Sequence, residues 1–198
     1  MAWIVKIGLD PSMTQTELEN NATEFYTYFN SKGFTIESIS GMLGNLQQES
    51  QINPGCKEKG GDGWGLIQWT PHTNLTDYAS AQGSDWATGE IQTQLMWEEI
   101  INNYGGQWIP KPDKGYPYSG EEFSQLTDVT TACMAYLIER ERASAEVAEK
   151  RVAYANVWYK YLTGVTPPTP PTPPTPPTPP TPTKRKGMPI WMMCRPLF

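Results

Sequence analysis

The sequence predicts an α+β fold in which a mostly helical domain with a small β-hairpin occupies residues 1–165. A polyproline linker follows over residues 166–183, and a tail that is first basic and then apolar covers residues 184–198. Three observations support this division. Apolar residues recur at helical spacing behind helix start signals, a glycine-rich run leads into a short β-prone segment, and a Thr-Pro-Pro unit repeats five times. A domain of roughly 165 residues can bury a substantial core.

The first helix is predicted from Thr14 to about Lys32. Thr14 and Glu17 have the spacing of a capping box, in which the Thr side chain caps the first turn and the Glu reaches back. Gly33 is the predicted stop, because glycine readily adopts the backbone conformation that ends a helix.

A second helix is predicted to begin at Thr35. Its apolar residues fall on one stripe at helical spacing, namely Ile36, Ile39, Met42, Leu43 and Leu46. Glu49 comes at the end of this helix, roughly 60° from Leu46 around the helix axis. The pattern therefore places one carboxylate at the margin of a buried stripe.

A small hairpin is predicted next, with strands near 56–59 and 65–69. The run from Gly60 to Gly65 is rich in glycine, and the residues after it, Leu66 to Thr70, favour extended structure. Five further helices are predicted at about 73–81, 89–103, 120–126, 128–140 and 145–162.

The linker over residues 166–183 is too rich in proline for helix or sheet and is expected to adopt polyproline II. At ~3.1 Å per residue it would span roughly 55 Å as a semi-rigid spacer. The tail begins with three basic residues and continues with eleven mostly apolar ones after Gly187. We interpret the tail as a docking peptide for a partner protein. A membrane-surface anchor is the second choice, and the remnant of a downstream domain is the third.

Composition excludes several classes of function. The part before the linker carries 21 acidic and 11 basic residues, a net charge of −10, which argues against nucleic-acid binding. A single histidine, His72, rules out zinc sites built on two histidines, and no metal or cofactor is expected. The three cysteines, Cys56, Cys133 and Cys194, have no paired spacing and are interpreted as small buried residues.

Glu49 is the residue whose position suggests chemistry. A carboxyl at a helix end, beside an apolar stripe and facing a glycine-rich hairpin, can lie in the wall of a cleft. Partial burial favours its protonated form, which a general acid needs in order to protonate a leaving oxygen near neutral pH. On spacing alone, however, a solvated surface residue is the favoured interpretation.

The order of motifs around Glu49 resembles the lysozyme-like superfamily, in which goose-type lysozymes and lytic transglycosylases carry Glu-Ser followed by Gly-Leu-x-Gln. The closer resemblance is to the phage tail lysozyme family of small short-tailed phages. It rests on residues 41–71, and it extends more weakly from about Glu17 to Leu162. The matching motifs are Gly41-Met42-Leu43-Gly44-Asn45, Glu49-Ser50, Ile52-Asn53-Pro54 and Gly65-Leu66-Ile67-Gln68-Trp69-Thr70-Pro71.

This resemblance implies a lysozyme-like α+β fold and cleavage of peptidoglycan glycan strands at N-acetylmuramic acid–N-acetylglucosamine bonds. Glu49 would be the catalytic acid. Gln68, Thr70 and Trp69 would hydrogen-bond or stack on the sugars. Trp64 would have a softer role in substrate binding, and Ser50 would orient the Glu49 region. For each of these five, packing or turn formation is the competing explanation. Tyr136 is the sixth candidate for substrate binding.

The chain departs from the family at a late motif that tends to read Tyr-Glu-Arg-Pro. Here Ile138 and Glu141 flank Glu139-Arg140, and the nearest tyrosine is Tyr136. The second carboxylate of a paired-carboxylate glycosidase is not identified by sequence, although Glu58, Asp62 and Asp77 lie near the predicted hairpin. Hydrolysis by a positioned water, or attack by the 6-hydroxyl of the substrate to give a 1,6-anhydro product, both remain open.

The combined features predict a virion-borne enzyme at a phage tail tip, with the tail at 184–198 docked on a tail knob protein. Met1 to Gly8 holds too few apolar residues for a signal peptide core, so a particle would deliver the domain. A holin-released enzyme acting at lysis fits this equally well, and the linker and tail favour the virion. The alternatives are a wall-binding protein with a dead fold and a cysteine peptidase using Cys56 or Cys133 with His72.

Overall fold

Most residues of the domain are helical. The computed structural model describes residues 2–141 and 148–164. The α-helices are α1 Gln15–Ser31, α2 Ile36–Ser50, α3 Thr73–Ala81, α4 Gly89–Ile101, α5 Gly120–Ser124, α6 Val129–Ala135 and α7 Ala148–Thr163. A π-helical turn, Tyr136–Arg140, continues α6, and short 3₁₀ turns occur at Tyr104–Gly106 and Pro112–Lys114. The linker and the tail lie outside the described residues.

The predicted helix starts are confirmed by their caps. Thr14 accepts a hydrogen bond from the backbone of Glu17, whose carboxylate accepts one from the backbone of Thr14, so the capping box is complete. Ser119 forms the same arrangement with Glu122 at α5. The predicted ends were too late for α4 and α5. The segment 128–140 is α-helical only as far as Ala135, and the predicted start of the last helix near residue 145 lies outside the described residues.

The predicted hairpin was wrong in its second strand. Strand β2, Cys56–Lys57, pairs in parallel with an N-terminal strand, β1 Gly8–Leu9. Residues 65–69 instead form a turn, because Gly65 and Gln68 both have positive φ angles, of 81° and 53°, and no extended strand can contain such residues. Single antiparallel bridges, Lys57 with Trp64 and Trp64 with Trp69, are all that remains of the predicted pairing.

Helix α2 lies at the centre of the domain, with α6 and α7 packed directly against it. Four of the five apolar residues of its predicted stripe are buried, and the fifth, Ile36, is partly buried. An aromatic cluster fills the space between α1 and α5, where Phe29 contacts Phe34 and Phe34 contacts Phe123 edge-on. No helix in the described part of the chain is long and apolar enough to cross a membrane.

Candidate active site

Glu49 lies in the last turn of α2 and keeps 22% of its side chain exposed. Its Oε1 atom accepts a hydrogen bond from the Nη2 group of Arg151 in α7, so the two side chains form an ion pair. Arg151 is itself only 9% exposed. The carboxylate predicted from the stripe is therefore half-buried and held by a cation from a distant part of the chain.

Two glycines of α2 explain how Arg151 reaches Glu49. A Cβ atom at Gly44 would lie 2.4 Å from the carbonyl oxygen of Arg151, and one at Gly41 would lie 2.6 Å from the backbone nitrogen of Cys133. The backbones of α7 and α6 therefore touch α2 at places where any side chain would collide. Asn45 adds hydrogen bonds to the carbonyl of Cys133 at 3.1 Å and from Arg151 at 3.3 Å.

Ser50 joins the end of α2 to the turn that follows. Its side chain is buried, and its hydroxyl donates to the carbonyl of Leu66 at 2.7 Å. Gln92 of α4 holds the same turn, since its Oε1 accepts from the backbone of Leu66 at 2.8 Å and its Nε2 donates to Pro54 at 2.8 Å. This agrees with a role for Ser50 in orienting the Glu49 region. Gln92 was not identified from the sequence.

A cavity of about 250 Å³ opens beside this turn. Its wall is formed by Ile67, Gln68, Trp69, Thr70, Asn74, Gln107, Arg140 and Glu141. A neighbouring cavity of about 460 Å³ shares Asn74 and Gln107 and is otherwise lined by Thr73, Asp77, Tyr78, Glu99, Tyr104 and Gly105. The two cavities share part of their walls and are together called the groove. Amide, hydroxyl, carboxyl and tyrosine groups line it, and such a surface can hydrogen-bond and stack on sugars.

Gln68 and Thr70, two of the residues predicted to contact substrate, lie in the wall of this groove. The Nε2 group of Gln68 donates to the carbonyl of Gly65 at 2.7 Å, and the Thr70 hydroxyl donates to the carbonyl of Gln68 at 3.2 Å. Both side chains thus stabilise the turn, and both keep further hydrogen-bonding capacity directed at the cavity.

Trp69 belongs to the groove wall, although its side chain is only 2% exposed. Its indole Nε1 donates to Glu99 Oε1 at 2.9 Å. The other oxygen of Glu99 accepts two hydrogen bonds from Arg140, at 3.0 and 2.7 Å. Trp69 therefore positions the wall through Glu99 and Arg140 and has little surface free for stacking on a sugar.

Trp64 and Tyr136 occupy other surroundings. Trp64 stacks on His72 at 4.3 Å between ring centroids, and the Lys57 ammonium lies 3.6 Å from its ring centre. Tyr136 is completely buried, with Trp108 and Phe123 rings about it. Direct contact with substrate would require Tyr136 to leave the core, and Trp64 to give up its stacking partners.

The three carboxylates proposed as second catalytic groups are also placed. Glu58 is exposed and accepts a hydrogen bond from the backbone of Gly63 at 3.2 Å. Asp62 pairs with the His72 ring at 2.5 Å, and this contact lowers the pKa of Asp62. Asp77 lies in the wall of the larger cavity. Glu58 and Asp62 thus serve turns outside the groove wall.

Two carboxyl groups, one in the π-helical turn and one directly after it, were not singled out from the sequence, and of these two only Glu141 lies in a cavity wall. Glu139 is fully buried, accepts from the backbone of Tyr118 at 2.9 Å, and has its pKa raised to about 8 by burial. Glu141 lies in the wall of the smaller cavity. Burial, followed by the negative charge of Glu49, raises the pKa of Glu141 well above its usual range. The only sequence signal for Glu141 was its departure from the family motif.

The described residues hold no group of three metal-ligating side chains. Cys56 and Cys133 are free and buried, as predicted, and Cys194 lies outside the described residues. Burial raises the pKa of the Cys56 thiol to about 11 and that of Cys133 to about 12. Both thiols are therefore poor nucleophiles, which argues against the peptidase alternative.

Comparison with known proteins relates the chain to phage proteins. A sequence model of the family described as phage tail lysozyme matches residues 20–162, which is most of the chain. The chain is also 32% identical over 158 residues to Morphogenesis protein 1 of Bacillus phage B103. That match covers 77% of this chain and 42% of the relative, so the chain spans less than half the length of that protein.

Proposed function

The chain belongs to the phage tail lysozyme family, and we propose that it is a muramidase that cleaves N-acetylmuramic acid–N-acetylglucosamine bonds of peptidoglycan. The observation that carries the proposal is the half-buried carboxyl of Glu49, fixed by Arg151 at the end of α2. The polar groove described above supports the proposal, because its hydrogen-bonding groups suit a glycan strand. No metal or cofactor takes part in the proposed reaction.

In the proposed reaction Glu49 protonates the glycosidic oxygen as the bond to the muramic acid carbon breaks. General acid catalysis of this kind contributes typically ~10²–10⁴-fold to the rate. Gln68 and Thr70 would hydrogen-bond the sugars, while Ser50 and Trp69 would keep the turn in place. Trp64 and Tyr136 would act indirectly. Trp64 would do so through the packing of the turn at residues 65–69, and Tyr136 through the packing of the π-helical turn.

The proposed place of action is the host cell wall, reached from a phage tail tip. The relative named a morphogenesis protein supports an origin in a phage particle. The linker at 166–183 would then act as a spacer and the tail at 184–198 as the docking segment for a tail knob protein, with membrane contact as the second choice. Tethering raises the local concentration of an enzyme at its substrate.

The test is a digest of purified peptidoglycan by the full chain, with products resolved by mass spectrometry beside a Glu49→Gln variant. Fragments with reducing-end muramic acid, absent with the variant, are the expected result. Fragments lighter by ~18 Da, the mass of the water that hydrolysis would add, would identify a lytic transglycosylase instead. Absence of cleavage across several wall types would refute the enzyme proposal and leave a wall-binding protein.

A further inference from the structure

Glu141 is one of three carboxyl groups that the described residues place in the groove wall, with Asp77 and Glu99. It follows the π-helical turn directly and shares the wall of the smaller cavity with Gln68 and Thr70. Its Oε1 atom is buried, and no hydrogen-bond partner for that atom exists in the part of the chain that the structure describes. A buried carboxyl oxygen without a partner is costly to maintain. Within the same part of the chain Glu139 Oε2 is buried without a partner as well, and what distinguishes Glu141 is that it also lies in the groove wall.

Among the described residues, Glu141 has no ion-pair partner. The charged groups that interact with it there are Glu49 from α2, Glu99 from α4, Arg140 from the π-helical turn and Arg151 from α7, and the Tyr136 hydroxyl interacts with it as well. Arg140 is engaged by Glu99, and Arg151 is engaged by Glu49. Three carboxyl groups therefore face two guanidinium groups, and one bound proton would balance the cluster.

We propose that Glu141 is the second catalytic carboxyl group of this site and that it works with Glu49 as an acid–base pair sharing one proton. This inference rests on the proposed glycan cleavage. In the proposed pair Glu49 is the acid and Glu141 the base, since two adjacent carboxylates resist being ionised together.

The step balances as a hydrolysis. Glu49 gives its proton to the glycosidic oxygen, and the bond from that oxygen to the muramic acid carbon breaks. A water molecule forms the new bond to that carbon, and its proton passes to the Glu141 carboxylate. The products are two sugar ends, one of them reducing, and transfer of one proton from Glu141 to Glu49 through solvent restores the starting state.

The activity test compares the full chain with its Glu141→Gln and Glu139→Gln variants on the same peptidoglycan. Glu139 is the matched control, because it is a buried carboxyl two residues away that the groove wall does not include. We expect Glu141→Gln to lower kcat at least ~100-fold with KM changed less than ~3-fold. Glu139→Gln should keep kcat within ~3-fold at pH 6, where a protonated Glu139 resembles glutamine.

A smaller loss in Glu141→Gln, or 1,6-anhydro products from the unmodified chain, would overturn the inference while leaving glycan cleavage intact. Absence of cleavage by the unmodified chain would instead remove the proposed function. These two failures are therefore distinguishable.

A second readout does not need activity. Carbon NMR of side-chain carboxyls, in protein labelled at glutamate, should show one signal that is missing in Glu141→Gln and titrates above the usual glutamate range. That signal should titrate at lower pH in Glu49→Gln, because the neighbouring negative charge is gone. A Glu141 signal in the usual range, or one indifferent to Glu49→Gln, refutes the paired carboxyls whether or not the chain cleaves glycan.

Discussion

At the scale of single residues, Glu49 and Arg151 lie 102 positions apart in the chain and still form one ion pair. Folding also changes the proton affinity of two single carboxyl groups, those of Glu139 and Glu141. Glu139 and Glu141 both lie in or directly after the π-helical turn, and burial is the first cause of the raised pKa of each. Perturbed carboxyls of this kind concentrate at functional sites.

Glu139 should make stability fall as pH rises. Its pKa is raised from 4.5 to about 8 on folding, so between these values the folded state binds more protons than the unfolded state. The associated stability is fully present below pH ~4.5 and is lost as pH rises to ~8. Between pH 5 and pH 8, we expect the free energy of unfolding of Glu139→Gln to fall by about 2–4 kcal/mol less than that of the unmodified chain. Urea unfolding at the two pH values measures the difference.

The contribution of Glu141 has the same sign and remains in the Glu139→Gln variant, so the pH dependence should become shallower without disappearing. A slope between pH 5 and pH 8 identical to that of the unmodified chain would show that Glu139 is not protonated in the folded state.

At the scale of elements, the site depends on how closely α6 and α7 approach α2. Gly41 and Gly44 allow backbone contact at two successive turns of α2. Asn45 forms hydrogen bonds with both neighbouring helices, α6 and α7. The motif that resembles the phage family thus has a packing explanation. It sets the distance from which Arg151 reaches the carboxylate at the end of the same helix.

Gly44→Ala should separate α7 from α2. A Cβ atom at this position would lie 2.4 Å from the Arg151 carbonyl and 2.7 Å from the Ala155 nitrogen, so a backbone must move. We expect a loss of about 1–3 kcal/mol in the free energy of unfolding. Glycan cleavage should also fall, because Arg151 would no longer hold Glu49. Urea unfolding and a peptidoglycan digest measure the two effects.

Gln48→Ala is the matched control for Gly44→Ala, since Gln48 is an exposed residue of the same helix. Its effect on unfolding should stay within about 0.5 kcal/mol. Equal stability and activity of the two variants would show that α7 does not depend on a close approach at Gly44.

At the scale of the whole molecule, charge and length govern how the domain meets its substrate. The part before the linker carries a net charge of −10, and the whole chain one of −6. A bacterial wall that carries anionic polymers would repel such a domain over distances of about a Debye length. The proposed tether would compensate by holding the enzyme at the wall.

Cleavage of whole walls by the unattached chain should therefore accelerate with salt. We expect the rate on walls that retain anionic polymers to rise about 2–10-fold between 20 and 150 mM NaCl, because the salt screens the repulsion. Walls stripped of those polymers serve as the control and should show little change. A rate that falls with salt on the intact walls would indicate an attractive electrostatic contact and contradict this account.

The sequence determined the features that depend on neighbouring residues. The capping boxes at Thr14 and Ser119, the helical stripe of α2 and the position of Glu49 at its end all follow from local spacing, since caps and periodicity act within one or two turns. The order of motifs over residues 41–71 was sufficient to identify the family.

Only the tertiary structure decided what those residues meet. The parallel pairing of Gly8–Leu9 with Cys56–Lys57, the ion pair of Glu49 with Arg151 and the burial of Tyr136 join segments far apart in sequence. Periodicity contains no information about such partners. That Glu141 has no ion-pair partner among the described residues depends in the same way on four charged groups brought together by α2, α4, α7 and the π-helical turn. Electrostatic interaction follows distance in space and not separation along the chain.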